Sequence, residues 1–206
     1  METDRQNHWD NVYATKAETE VSWFQESPTA SLDLIHSLVA SRQARIIDIG
    51  GGASRLVDAL LDEGFEAPTV LDLSENALAV AKARLGARAQ KAHWVAADVT
   101  TWEPSEAYDL WHDRAAFHFL TEAAERVAYR ERVVKAVRPG GHVIIATFAP
   151  DGPERCSGLP VLRHDAESIA AVLGVEFEPV ETRRHEHPTP AGSIQRFQFS
   201  SFRRKA

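Results

Sequence analysis

The spacing of apolar residues changes period several times along the chain. Leu32, Ile35, Leu38 and Val39 fall on one helical face, with Ser27 as N-cap and Pro28 in the first turn. RIIDI, residues 45–49, then reads as a buried strand, and three glycines follow it at once. Leu56, Val57, Leu60 and Leu61 restore a helical face, which Gly64 closes. TVLDLS predicts a second strand ending at Asp72, and Leu78, Ala81 and Leu85 predict a helix stopped by Gly86. AHWVAADV and AYDLWHD are further strands. A helix over 122–137 is expected to bury Val127, Ala128, Val134 and Val137, before RPGG turns into HVIIATF, whose unbroken apolar run suits a central strand. Asp165 caps a short helix through Leu173. The last two segments alternate around PTPAG as an antiparallel hairpin. Strand–helix alternation predicts an α/β fold, a mostly parallel sheet with helices on both faces.

Composition narrows the function classes. The 206 residues suit one domain, with expected parts at 1–42 (a helical lid), 43–150 (a cofactor-binding core) and 151–206 (a substrate-side loop, helix and hairpin). A net charge of −7 argues against nucleic acid as partner, because phosphate neutralisation needs a clustered basic surface. No stretch is apolar over the roughly 18 residues that cross a bilayer. The polar first ten residues carry no signal-peptide pattern. The one cysteine, Cys156, leaves no internal disulfide and suits a reducing cytoplasm.

The candidate chemistry starts at Gly50, Gly51 and Gly52. Glycines between a strand and a helix let a ligand approach the backbone. The dinucleotide fingerprint wants a further glycine at the sixth position, where Arg55 stands, and no phosphate-loop lysine is present. Asp72, about twenty residues on, can take both ribose hydroxyls of an adenosine, and Asp98 lies where an adenine amine could be met. With Asp48 ahead of the turn, this set resembles the class I S-adenosylmethionine-dependent methyltransferases. IDIGGG matches that family's first motif, LDLS the second, AADV the adenine motif, YDLWHD the fourth, and VRPGGHVII the turn before the fifth strand. The resemblance spans roughly 9–203 and implies a Rossmann-like seven-stranded sheet with a C-terminal antiparallel hairpin. It implies S-adenosyl-L-methionine as cofactor and S-adenosyl-L-homocysteine as product. Asp48 would orient the turn, Gly50, Gly51, Gly52, Leu73 and Ser74 would meet the cofactor, Asp72 its ribose, and Asp98 and Val99 the base.

The lead-in HWDNVYATKAETEVSWFQ is similar to that of some protein-lysine methyltransferases, which implies Trp9, Tyr13 and Trp23 at the methionine end of the cofactor. His112, Asp113 and His118 follow the fourth strand, where this fold seats its acceptor. They are the candidates to contact or deprotonate it, His112 also bordering the cofactor, and His118 would share a helical face with Arg114 if RAAFHFL is helical. His185 and His187 point one way on a strand but lack a third metal ligand, so a place near the substrate is expected rather than a metal site. Cys156 either faces the pocket or packs, packing being the expectation. The expected reaction is in-line methyl transfer to a small acceptor, such as a thiol or another soft nucleophile. The alternatives are protein-lysine methylation and cofactor binding without transfer.

Overall fold

A computed structural model describes residues 4–206. Helix α1 (Asp4–Thr15) and helix α2 (Thr29–Leu38) precede the sheet. Then come β1 (Ile46–Ile49), α3 (Leu56–Asp62), β2 (Thr69–Asp72), α4 (Glu75–Leu85), β3 (His93–Ala96), β4 (Tyr108–Arg114), α5 (Ala123–Ala136) and β5 (Val137–Phe148). A two-stranded ribbon, β6 (Arg155–Cys156) and β7 (Leu159–Pro160), leads to α6 (Ala166–Leu173) and the hairpin β8 (Phe177–Pro188) and β9 (Ile194–Arg204). The sheet runs β3-β2-β1-β4-β5-β9-β8. Strands β1 to β5 pair parallel, while β9 pairs antiparallel with both β5 and β8. The expected seven-stranded α/β architecture is present.

Alternation along β5 builds both cores at once. Val143 and Ile145 join Trp111, Tyr129, Val133, Ile169 and Phe202 on the face covered by α5 and α6. Ile144, Ala146 and Phe148 join Leu34, Ile35, Leu56, Leu60 and Phe197 on the face covered by α2 and α3. A parallel strand buried on both sides needs apolar residues at every position, which is why HVIIATF does not alternate.

Four local expectations are corrected. Helix α2 starts at Thr29 with Pro28 as N-cap, and Ser31, Leu34 and Ile35 are its buried face. Strand β5 starts at Val137 and runs through RPGG, with an irregular register against Tyr108 and Leu110. Helix α5 buries Tyr129, Val133 and Ala136, whereas Val127 is 56% exposed. A tyrosine counts as polar in a pattern count, yet Tyr129 buries its ring and satisfies its hydroxyl with Asp113, and that rotates the buried face. The segment after β4 is not an α-helix: Ala115 takes φ 67° and a short 3-10 turn, Phe117–Phe119, follows.

Candidate functional site

Strand order reverses between β1 and β4, and the crevice at their C-terminal ends is where an open parallel sheet binds ligands. The glycine turn sits there. Gly50 and Gly52 have φ of 65° and 34°, values that side chains disfavour. The Leu71 carbonyl accepts from Gly50 N–H at 2.7 Å, which ties the turn to β2. A Cβ on Gly51 would lie 2.5 Å from Asp48 Oδ2, and one on Gly52 would lie 2.6 Å from Asp72 Oδ2. The glycines are therefore small so that two carboxylates can stand against the turn.

Asp72 ends β2, almost wholly buried, and its Oδ1 accepts the Ser74 N–H at 2.8 Å. Burial pushes its carboxyl up to about 7; the Ser74 amide opposes this, and the Asp48 and Asp10 carboxylates add to it. Asp98 lies two residues past β3, in a loop, and spends Oδ1 on the backbone and hydroxyl of Thr100, at 2.8 and 2.7 Å. Gly50, Asp72, Leu73, Asp98 and Val99 line one cavity.

The lead-in closes this cavity. Trp9, Tyr13 and Trp23 all line it. Trp23 donates its indole N–H to Tyr13 Oη at 3.2 Å and packs edge-on to Trp9 with ring centres 5.6 Å apart. Trp9 also meets Phe119 edge-on at 5.0 Å. The helix is latched by Asp10, which accepts the Ser74 hydroxyl at 2.5 Å, and by an Arg5–Glu125 ion pair. Ser74 thus caps α4 and holds Asp10 instead of lining the cavity, which corrects its expected place.

The three acceptor-side candidates are not in the cavity wall. His112 is buried with both ring nitrogens engaged, Nδ1 at 2.7 Å from Asp48 Oδ1 and Nε2 at 2.8 Å from Ser31 Oγ. It borders only a second, smaller recess, together with Asp48, Gly51 and Arg55. Asp113 is fully buried and accepts the Ala116 and Phe117 N–H groups and the Tyr129 hydroxyl, so it holds the loop after β4. Burial pushes its carboxyl up to about 6 against those donors. His118 lies between Phe119 and Phe148, and burial pushes it down to about 3, with His164 and Arg114 adding to this. Alternation explains the error: a residue at a strand tip faces either the cavity or the core, and Asp113 takes the core side.

Comparison with known proteins fits this geometry. Residues 46–141 match the family model of the methyltransferase domain, the span that holds the glycine turn, Asp72, Asp98 and the tip of β4. That span is a methyltransferase domain, and the chain as a whole is similar to S-adenosylmethionine-dependent methyltransferases. It is 26% identical over 184 residues to trans-aconitate 2-methyltransferase of Rhizobium leguminosarum bv. trifolii (strain WSM2304), which covers 89% of this chain and 67% of that protein. It is 31% identical over 127 residues to thiocyanate methyltransferase 1 of Arabidopsis thaliana, covering 59% of this chain and 54% of that protein. Its fold resembles that of the N-methyltransferase NodS of Bradyrhizobium japonicum WM9, solved with S-adenosyl-L-homocysteine, at a TM-score of 0.71 and 16% identity over 99% of this chain and 100% of that one.

The residues of this methyltransferase fit an adenosyl sulfonium ligand. Asp72 is a carboxylate that accepts the Ser74 amide on Oδ1 at the mouth of a cavity whose walls are otherwise mostly apolar, and a carboxylate there suits two hydroxyls. The aromatic cluster of Trp9, Tyr13 and Trp23 supplies rings whose faces would attract a positive sulfur centre. Sequence reasoning gave no cavity role to Arg5 or Arg114, which line the cavity together with Cys156. Cys156 is brought there by a tight turn in which Ser157 and Gly158 have φ of 50° and 79°, and it packs, as expected, in the core beside Phe148 and Phe197 while one side borders the cavity. Its companion Ser-Gly pair was the available signal. The hairpin reaches the lead-in through His187, whose Nε2 is 2.8 Å from the Ser22 carbonyl, so that imidazole joins elements together.

Proposed function

We propose that this methyltransferase transfers a methyl group from S-adenosyl-L-methionine to a small-molecule acceptor. The observation that carries the reading is the cavity at the tips of β1, β2 and β3, where Asp72 faces apolar walls beside a glycine turn and lies under an aromatic lid. Asp72 takes the ribose hydroxyls, Asp98 and Val99 border the base, and Gly50 lets the chain approach the ligand backbone-to-ligand. When bound, S-adenosyl-L-methionine supplies a methyl carbon that an acceptor lone pair attacks as the carbon–sulfur bond breaks, its electrons staying on sulfur.

The chain's own part is alignment and exclusion of water. Trp9, Tyr13 and Trp23 cover the reacting end, and the Asp10 and Arg5 latches hold α1 over it. Tyr13 does not act as a base, because burial, with Asp72 adding, holds its phenol well above the ordinary value. The names of the relatives, trans-aconitate and thiocyanate methyltransferases, support a small acceptor. Calorimetric titration is expected to give saturable binding of S-adenosyl-L-methionine and S-adenosyl-L-homocysteine and none of NADH. A labelled-methyl assay over carboxylates, thiols, amines and a cell lysate is expected to label a small molecule. Label confined to lysate protein contradicts the reading.

A further inference from the structure

We propose that Arg114 is the anion seat of this site and that the methyl acceptor is a small organic or pseudohalide anion whose negative group lies on that guanidinium. The inference rests on the methyltransferase reading above. Arg114 follows Asp113 at the tip of β4 and lines both the main cavity and the second recess. Its Nη1 donates to the Trp23 carbonyl at 3.1 Å, and its Cζ stands 4.8 Å over the Phe197 ring. Nε and Nη2 are sealed from solvent and have no partner, and no carboxylate pairs with the group among the described residues. Burial pushes it down to about 10, which leaves it charged at neutral pH. Two unsatisfied charged donors are costly in such a place unless a ligand meets them.

Two further observations point to the acceptor. His112 and Asp113 are held by other groups and His118 is buried outside the cavity wall, so with Asp72 assigned to the ribose the titratable side chains left at this end of the main cavity are Tyr13 and Cys156. Burial raises both, Cys156 to about 12, so neither removes a proton near neutral pH. A protonated acceptor has no base there, whereas an anion needs none. The ligand's sulfonium is also a cation. An anion between it and Arg114 compensates two charges that a neutral acceptor leaves facing each other. His185 and His187, held low by burial and then by Arg114, stay neutral and do not compete for the anion. The competing occupant is the carboxylate of S-adenosylmethionine itself. Arg55, whose Nη2 pairs with Glu18 at 2.9 Å, lines only the recess by the glycine turn and keeps an unpartnered Nε for that carboxylate.

The test uses the enzyme saturated with S-adenosyl-L-homocysteine and reads quenching of its tryptophan fluorescence, to which Trp9 and Trp23 in the cavity wall contribute. Benzoate and thiocyanate are the probes, with benzamide as the neutral counterpart. At least one anion is expected to quench saturably and benzamide not to. In Arg114→Gln the anion affinity is expected to fall about tenfold or more, with S-adenosyl-L-homocysteine affinity within about threefold, and Arg114→Lys to recover part of the loss. Equal binding of benzamide, no saturable anion binding, or a matching loss of S-adenosyl-L-homocysteine affinity in Arg114→Gln overturns the proposal. Should Arg114→Gln fail to melt cooperatively, the benzoate–benzamide contrast in the unaltered enzyme decides. Absence of S-adenosyl-L-homocysteine binding to the unaltered enzyme sinks the methyltransferase reading instead.

Discussion

The tips of β2 and β4 each end in a buried aspartate, and the two carboxylates do opposite work. At β2, Asp72 receives the Ser74 amide and otherwise opens on the cavity. At β4, Asp113 receives the Ala116 and Phe117 amides and the Tyr129 hydroxyl and is closed off. Burial raises both acids, to about 7 and about 6. The raised pKa therefore does not separate them. What separates them is the supply of donors from the following segment, since a carboxylate whose donors are internal has no lone pair left for a ligand. At β4 the cavity-facing role passes to the next residue, Arg114, because neighbours on a strand point to opposite faces.

The largest effect expected is on stability at β4. Asp113→Ala leaves two amides and the hydroxyl proton of Tyr129 without an acceptor, which costs about 3 kcal/mol and lowers Tm by about 6–12 °C. A thermal melt in the presence of excess S-adenosyl-L-homocysteine checks this, and a ligand affinity unchanged in the folded fraction keeps Asp113 out of the site. The mirror experiment is Asp72→Ala, expected to weaken S-adenosyl-L-homocysteine about 100-fold by removing charge-assisted hydrogen bonds, with no loss of stability. If Asp72→Ala instead melts early and binds normally, the contrast between the strand tips is broken.

The pH dependence sharpens the same contrast. Asp72 is raised from 3.8 to about 7 in the folded protein. Its contribution to stability is therefore full below the unfolded value and lost as pH rises through 7, so the ligand-free protein weakens over that window and Asp72→Ala flattens the decline. Ribose hydroxyls donate to the ionised form. Affinity for S-adenosyl-L-homocysteine is thus expected to tighten from pH 6 to pH 8 with proton release on binding, seen as a buffer-dependent calorimetric enthalpy. A flat profile contradicts an ionised Asp72 in the complex. The smallest effect concerns the lid. Trp23→Phe loses the indole bond to Tyr13 and is expected to weaken the ligand by about 1 kcal/mol, roughly fivefold.

Much of the cofactor end was legible because backbone chemistry dictates its letters. A turn that holds Asp48 and Asp72 within 3 Å of a missing Cβ must be glycine. The acceptor end was less legible because sidedness is a property of the fold. YDLWHD does not say which of His112, Asp113 and Arg114 faces the cavity, and the answer depends on Ser31 and Tyr129, 81 and 16 residues away from their partners. The buried face of α5 was misread for a related reason, since the value of Tyr129 to the core depends on Asp113 and Trp111 accepting and donating at its hydroxyl. Cys156 reached the cavity through a two-residue turn whose neighbours carry no periodic pattern.

The most direct measurement is a crystal structure of the enzyme grown with S-adenosyl-L-homocysteine. The account predicts the sugar hydroxyls on Asp72, the base between Asp98 and Val99, and the sulfur under Trp9 and Trp23. Ordered ligand elsewhere, with the Asp72 carboxylate free of any sugar, would contradict it.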